Sequence, residues 1–241
     1  MSTEVDLYCF AYAGSSAGFY TAWRGRLGLN VNVVPVDLPG RGALSGMDYA
    51  TEYGELVSQL ASLLEPQTGR KFALFGHSLG AMVARGVAGI LQQVHHTPPL
   101  ALFASGCTAP ARFRHLLHAV VPDASDETLI EYLRRVGGTP PALLRNRALL
   151  QSFLPMIRAD FKVALSFEQS DAPPLTCPIH FLYGEQDTIT DRTLDAAAWA
   201  AETSASFTGH AIPGGHFFIH DHRQAVLQVL DDLLGDHVLA A

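Results

Sequence analysis

A chain of 241 residues with 48% apolar side chains can bury a large core, and it suits one α/β domain over residues 1–241 with an insertion better than two independent domains. Its net charge of −7, with no long basic cluster, excludes nucleic acid as the expected partner, because phosphate binding needs such clusters. No stretch approaches the roughly eighteen consecutive apolar residues of a membrane span, and the acidic start Met1-Ser2-Thr3-Glu4 lacks the pattern of a signal peptide, so no membrane association is expected.

Taken in order, Leu7-Tyr8-Cys9-Phe10 predicts a first strand that runs into the small-residue loop Ala11-Tyr12-Ala13-Gly14-Ser15-Ser16-Ala17-Gly18. Phe19 to Leu27 reads as helical, with Trp23 one turn after Phe19. Val31–Val36 is rich in β-branched residues, the mark of a strand buried on both faces of a parallel sheet, and Asp37-Leu38-Pro39-Gly40-Arg41-Gly42 follows as a turn. Tyr53, Leu56, Val57, Leu60 and Leu64 fall at helical spacing. Lys71–Phe75 is the next strand, helix formers follow Gly80, and Leu100–Ser105 is a further apolar strand. The alternation then stops, since the next strand candidate, Ile179–Tyr183, lies roughly seventy residues on, too far for an ordinary connection.

That gap predicts an inserted helical lid over about 108–172. Asp126 is the expected N-cap of a helix carrying Leu129, Ile130, Leu133 and Val136. Thr139-Pro140-Pro141 marks the start of a second helix, which Pro155 ends or kinks, and Met156 to Phe167 forms a third. The sheet resumes with Ile179–Tyr183 and Phe207–Ile212, and a closing helix lies near Ala225–Leu234. Cys9, Cys107 and Cys177 are odd in number and sit next to apolar runs, so buried free thiols in a reducing, cytoplasmic setting are expected.

The informative stretch is Phe75-Gly76-His77-Ser78-Leu79-Gly80, a G-x-S-x-G pattern with a strand before it and a helix after it. A turn this tight holds the serine in a strained conformation, leaves no room for a Cβ on either side, and places the hydroxyl at a helix N-terminus. With the alternating strands and helices, it points to a doubly wound, mostly parallel sheet of the α/β-hydrolase type.

A serine needs a histidine to take its proton, and the histidine needs a carboxylate to orient it. In this fold the chain order is serine, acid, histidine, with the partners on loops after late strands. Asp187, just beyond the Ile179–Tyr183 strand, fits the acid, with Glu185 a close rival and Asp171, Asp191 and Asp195 less well placed. His216 follows the last strand in Pro213-Gly214-Gly215-His216 and fits the base. His210 falls within a strand, His220 and His222 read as surface residues at a helix start, and His77 reads as a brace for the elbow. The oxyanion donors expected from position are the backbone N–H groups of Leu79 and Ala13. No metal or organic cofactor is needed for this chemistry.

The chain resembles the stand-alone type II thioesterases of polyketide and non-ribosomal peptide synthesis. The matching segments are Tyr12–Ala17, Trp23, Asp37–Gly42, Phe75–Ala81, Val136-Gly137-Gly138-Thr139-Pro140-Pro141, Leu154–Phe161, Cys177–Ile179, Gly184-x-x-Asp187 and Gly215–Phe218. Tyr12 and Ser15 depart from the family's usual histidine and second glycine, which bears on the pocket and leaves the Ala13 N–H in place. The chain begins close to its first strand, so the extra N-terminal strand of many hydrolases is expected to be missing. The resemblance implies hydrolysis of acyl groups from the phosphopantetheine arm of an acyl- or peptidyl-carrier protein, and a monomer is expected. A carboxylesterase or lipase-like hydrolase would share the elbow and triad, and a non-catalytic synthase-binding scaffold is the remaining alternative. Such carriers are generally acidic. Residues 108–172 hold eight basic against seven acidic residues, while the rest of the chain holds eight against sixteen, so the lid is the least repulsive face for them.

Overall fold

The computed structural model describes residues 5–28, 30–64, 70–113, 123–169 and 172–239, with 236–239 described by their backbone alone. Among these, six strands form one parallel sheet: β1 (Val5–Phe10), β2 (Val31–Val36), β3 (Lys71–His77), β4 (Leu102–Ser105), β5 (Ile179–Gly184) and β6 (Phe207–Ile212). Their order is β2-β1-β3-β4-β5-β6. The chain therefore steps outward from β1 to β2 and returns on the other side of β1 with β3. That reversal opens a crevice at the carboxyl ends of β1 and β3, where open α/β sheets place their ligands.

Every residue of β1 and β4, and all of β3 beyond Lys71, is buried, which suits strands whose two faces are both covered. The sheet is flanked by α1 (Tyr53–Leu64) and α2 (Leu79–Gln93), and later by α7 (Arg192–Ala200), α8 (Phe218–Asp221) and α9 (Arg223–Leu239). β2 differs from the expectation of burial on both faces. It is an edge strand in which only Val33 and Val36 are buried, and Pro35, which cannot donate to a ladder, fits that place. The helix expected from Phe19 is a 3-10 helix over Ala17–Trp23. Ser16 caps it, and Asp37 accepts from Ser16 Oγ (2.8 Å) and the Ala17 N–H (2.7 Å).

Between β4 and β5 lie α3 (Pro110–Phe113), α4 (Asp126–Val136), α5 (Pro141–Arg145) and α6 (Arg147–Leu165). The cap of α4 is Ser125, whose Oγ accepts from Thr128 N at 3.2 Å, and not Asp126. Asp126 instead opens the first turn, where its charge meets the positive end of the helix dipole. The boundary expected at Pro155 falls at Asn146, whose side chain caps α6 by accepting from Leu149 N at 3.1 Å. Pro155 sits inside α6, which stays continuous because Leu150, Leu154, Ile157 and Val163 bury its apolar stripe.

The buried side chains fall into two groups. The large one surrounds the sheet. The small one, Leu129, Ile130, Leu150, Leu154 and Ile157, joins α4 to the first half of α6. The three cysteines are buried free thiols, and burial pushes Cys177 up to about 12. Among the described residues no helix is long and apolar enough to cross a membrane.

Candidate active site

Ser78 adopts φ 53 and ψ −125 between β3 and α2. Among the described non-glycine residues only His96 shares a positive φ. The glycines that flank it are required by contact. A Cβ on Gly76 would lie 2.1 Å from the Gly80 carbonyl oxygen, and one on Gly80 would lie 2.6 Å from that of Phe10. The Ser78 N–H donates to the Ser105 carbonyl (2.8 Å), so the turn is also tied to β4.

His216 Nε2 stands 3.2 Å from Ser78 Oγ, and His216 Nδ1 stands 2.9 Å from Asp187 Oδ2. The structure thus brings Ser78, His216 and Asp187 together across 138 and 29 residues of chain. Asp187 also accepts from Ile189 N (2.8 Å) and Thr190 Oγ1 (2.5 Å). Burial alone would raise its carboxyl, but the hydrogen bond and charge of His216, with Thr190 and Ile189, more than offset this and hold it below the usual range.

The rivals are occupied elsewhere. Glu185 is exposed, Asp191 caps α7 by accepting from Thr193 N and Leu194 N, and Asp195 is buried against Arg112 and Thr108. Asp171 lies outside the described residues. His210 lies in β6, as expected. His220 and His222 are half-buried and not surface residues. α8 is one turn folded back toward the β1 loop, which puts His220 Nε2 3.0 Å from the Tyr12 hydroxyl.

His77 braces the site from beneath, with Nδ1 3.0 Å from Ser105 Oγ. Burial, and next the neighbouring His216, hold its imidazole well below the ordinary histidine range. Below about pH 6.5 the unfolded chain takes up a proton that the folded one refuses, so stability is lost as pH falls. Urea unfolding between pH 7.5 and 5.5 is expected to show a decline approaching 1.4 kcal/mol per pH unit from this group (about one proton). His77→Gln is expected to flatten the decline by that amount, and an unchanged slope would contradict the assignment.

Two cavities meet at the serine, one of about 560 Å³ and one of about 350 Å³. Both are lined by Ala13, Ser78, Tyr132, Val136 and Phe161. Among the described residues, neither the Ala13 nor the Leu79 N–H has an acceptor. The following residue is anchored: Gly14 N donates to Asp160 Oδ2 (2.7 Å), and Asp160 is paired through both its oxygens with the Arg41 guanidinium. Arg41 in turn donates to the Ser15 carbonyl (3.0 Å). The Arg41–Asp160 and Tyr12–His220 pairs were missed in the sequence. The first lies within segments that carry the resemblance, but nothing in a one-dimensional pattern joins residues 119 positions apart.

Parallel sheet, strained serine turn and hydrogen-bonded Asp187–His216–Ser78 chain define an α/β-hydrolase. A family model described as "Thioesterase domain" matches residues 5–234. The linear gramicidin dehydrogenase LgrE of Brevibacillus parabrevis is 35% identical over 98% of this chain and 90% of its own. Its name is that of a dehydrogenase, but the present chain contains no G-x-G-x-x-G, the glycine pattern of a dinucleotide site. Among solved structures, the RedJ thioesterase of the prodiginine pathway in Streptomyces coelicolor is 34% identical, with a TM-score of 0.86 over 95% of this chain and 85% of that one. The type II thioesterase BorB of the borrelidin cluster is 32% identical, with a TM-score of 0.84 over 99% and 94%. The chain belongs to the thioesterase domain family, a family of hydrolases acting on thioesters.

Proposed function

We propose that the protein is a type II thioesterase that clears stalled or aberrant acyl groups from the phosphopantetheine arms of acyl- or peptidyl-carrier proteins in polyketide or non-ribosomal peptide synthesis. Ser78 is the nucleophile, His216 the general base and acid, and Asp187 the carboxylate that orients it. Ala13 and Leu79 supply the oxyanion hole, and residues 108–172 form the lid. The observation that carries this reading is the chain of hydrogen bonds from Asp187 through His216 to a serine at the wall of two cavities that Tyr132, Val136 and Phe161 also line.

His216 Nε2 takes the Ser78 proton as Oγ attacks the thioester carbonyl, and the two N–H groups hold the tetrahedral oxyanion. Collapse breaks the C–S bond, the pantetheine thiol leaves with the proton from His216, and an acyl-serine remains. His216 then deprotonates water, which attacks the ester, and Ser78 recovers its proton as the acid departs. A fluorophosphonate is expected to add one group, on Ser78, and a pantetheine thioester to be cleaved with higher kcat/KM than the oxygen ester of the same acid. Preference for the oxygen ester would turn the reading to a carboxylesterase, and labelling at Ser15 or Ser105 would show the nucleophile misplaced.

A further inference from the structure

The expectation that the lid is the least repulsive face for an acidic carrier gains detail once the partners of its basic residues are seen. Arg112 pairs with Asp195 (2.9 Å), Arg134 with Glu131 (3.3 Å), Arg147 with Glu127 (2.6 Å) and Arg158 with Asp126 (2.6 Å). Lys162 stands 4.0 Å from Asp123, and Arg114 lies outside the described residues. Arg145 is exposed and lines neither cavity at Ser78, which leaves Arg135. Among the described residues it faces no carboxylate, and its guanidinium carbon lies 5.7 Å from the centre of the Tyr132 ring. Tyr132 is set edge-on against Phe161 (5.7 Å, 90°), and both rings line the cavities at Ser78. A guanidinium resting on a ring keeps its N–H edge available for the in-plane, forked bonds that phosphate oxygens accept.

Both cavities mix polar and apolar walls, and what separates them is charge. The smaller is walled by Leu133, Leu143, Leu150, Phe153 and Ile157 from the inserted helices. The larger has Thr108, Gln186 and Thr188 on its wall and the exposed Arg135 at its rim, the one lining residue there with a fixed charge. A substrate with an apolar acyl end, a thioester at Ser78 and an arm of amides ending in a phosphodiester matches this division. We propose that Arg135 receives the phosphate of the pantetheine arm, so that the larger cavity holds the arm and the smaller one the acyl group. The proposal rests on the thioesterase reading above and makes Arg135 a residue that selects arm-borne substrates over shorter thioesters.

The test reads a ratio: kcat/KM for butyryl-phosphopantetheine over kcat/KM for butyryl-pantetheine, which differ only in the phosphate. The wild-type ratio is expected to exceed one, and Arg135→Gln to lower it about tenfold through KM. Arg135→Lys, which keeps the charge and loses the fork, is expected to fall between. A fall in both substrates with the ratio unchanged would mean that Arg135 only supports Tyr132 and the lid, and would overturn the proposal. So would a loss confined to malonyl-pantetheine, which would place an acyl carboxylate at Arg135. A wild-type enzyme inactive on every thioester would bring down the thioesterase reading itself, an outcome distinct from any change in the ratio.

Discussion

Ser78→Ala is expected to lower kcat by about 10⁶-fold, to the level left by oxyanion stabilisation and binding alone. The size follows from the geometry. His216 Nε2 has one partner to deprotonate at 3.2 Å, and without the hydroxyl the remaining groups act on nothing. Asp187→Asn is expected to cost about 10⁴-fold, because an amide in place of Oδ2 favours the wrong tautomer of His216. The double variant should be no slower than Ser78→Ala, since the residues work as one unit. Single-turnover hydrolysis of a pantetheine thioester measures all three, and near-wild-type activity in Asp187→Asn with loss in Glu185→Gln would move the acid by two residues.

The second large effect concerns stability. Asp160→Ala is expected to lower the free energy of unfolding by about 3–5 kcal/mol, the usual cost of removing one partner from a buried ion pair. Arg41 and Asp160 are 6% and 1% exposed, so the guanidinium left behind has no water to turn to. The same change strips the acceptor from Gly14 N, next to the proposed Ala13 oxyanion donor. Activity should therefore fall at temperatures where the variant is still folded. Removing both charges in Arg41→Met/Asp160→Ala should cost less than the two single losses added, because neither charge is then stranded. Urea titrations of the single and double variants provide the check, and a loss below about 1 kcal/mol in Asp160→Ala would show the pair to be structurally idle.

Much of this site was legible in the chain because its constraints are local. Gly76 and Gly80 betray a turn in which a Cβ collides with backbone, and that requirement is written within five residues. Asp187 and His216 could be singled out among many carboxylates and eleven histidines because topology fixes their order and the strands before them were readable. Strand limits were read a residue or two off: β1 starts at Val5, β3 runs on to His77 and β4 begins at Leu102. Composition does not mark where a ladder ends. β2 was misjudged since β-branched residues suit an edge strand as well as a central one. The inserted helices failed at Pro155 because burial of α6 outweighs the bond that proline removes. The ties Arg41–Asp160 and Tyr12–His220 join distant segments and become visible only in three dimensions.

The division of the interior into two packed groups bears on how such an enzyme can diversify. The small group ends at Ile157, and the residues of α6 that belong to the sheet core begin at Val163, with the Asp160 anchor between them. A graft that replaces α4, α5 and the first half of α6 up to that point would exchange Leu133, Leu143, Leu150, Phe153 and Ile157 in the wall of the smaller cavity, and Tyr132 and Arg135 with them, while Phe19, Phe161 and Phe217 would stay. It would leave the serine turn, the histidine loop and the Asp160 anchor untouched. Acyl preference can therefore vary within a minor part of the chain, while the larger group packed around the sheet is left as it is.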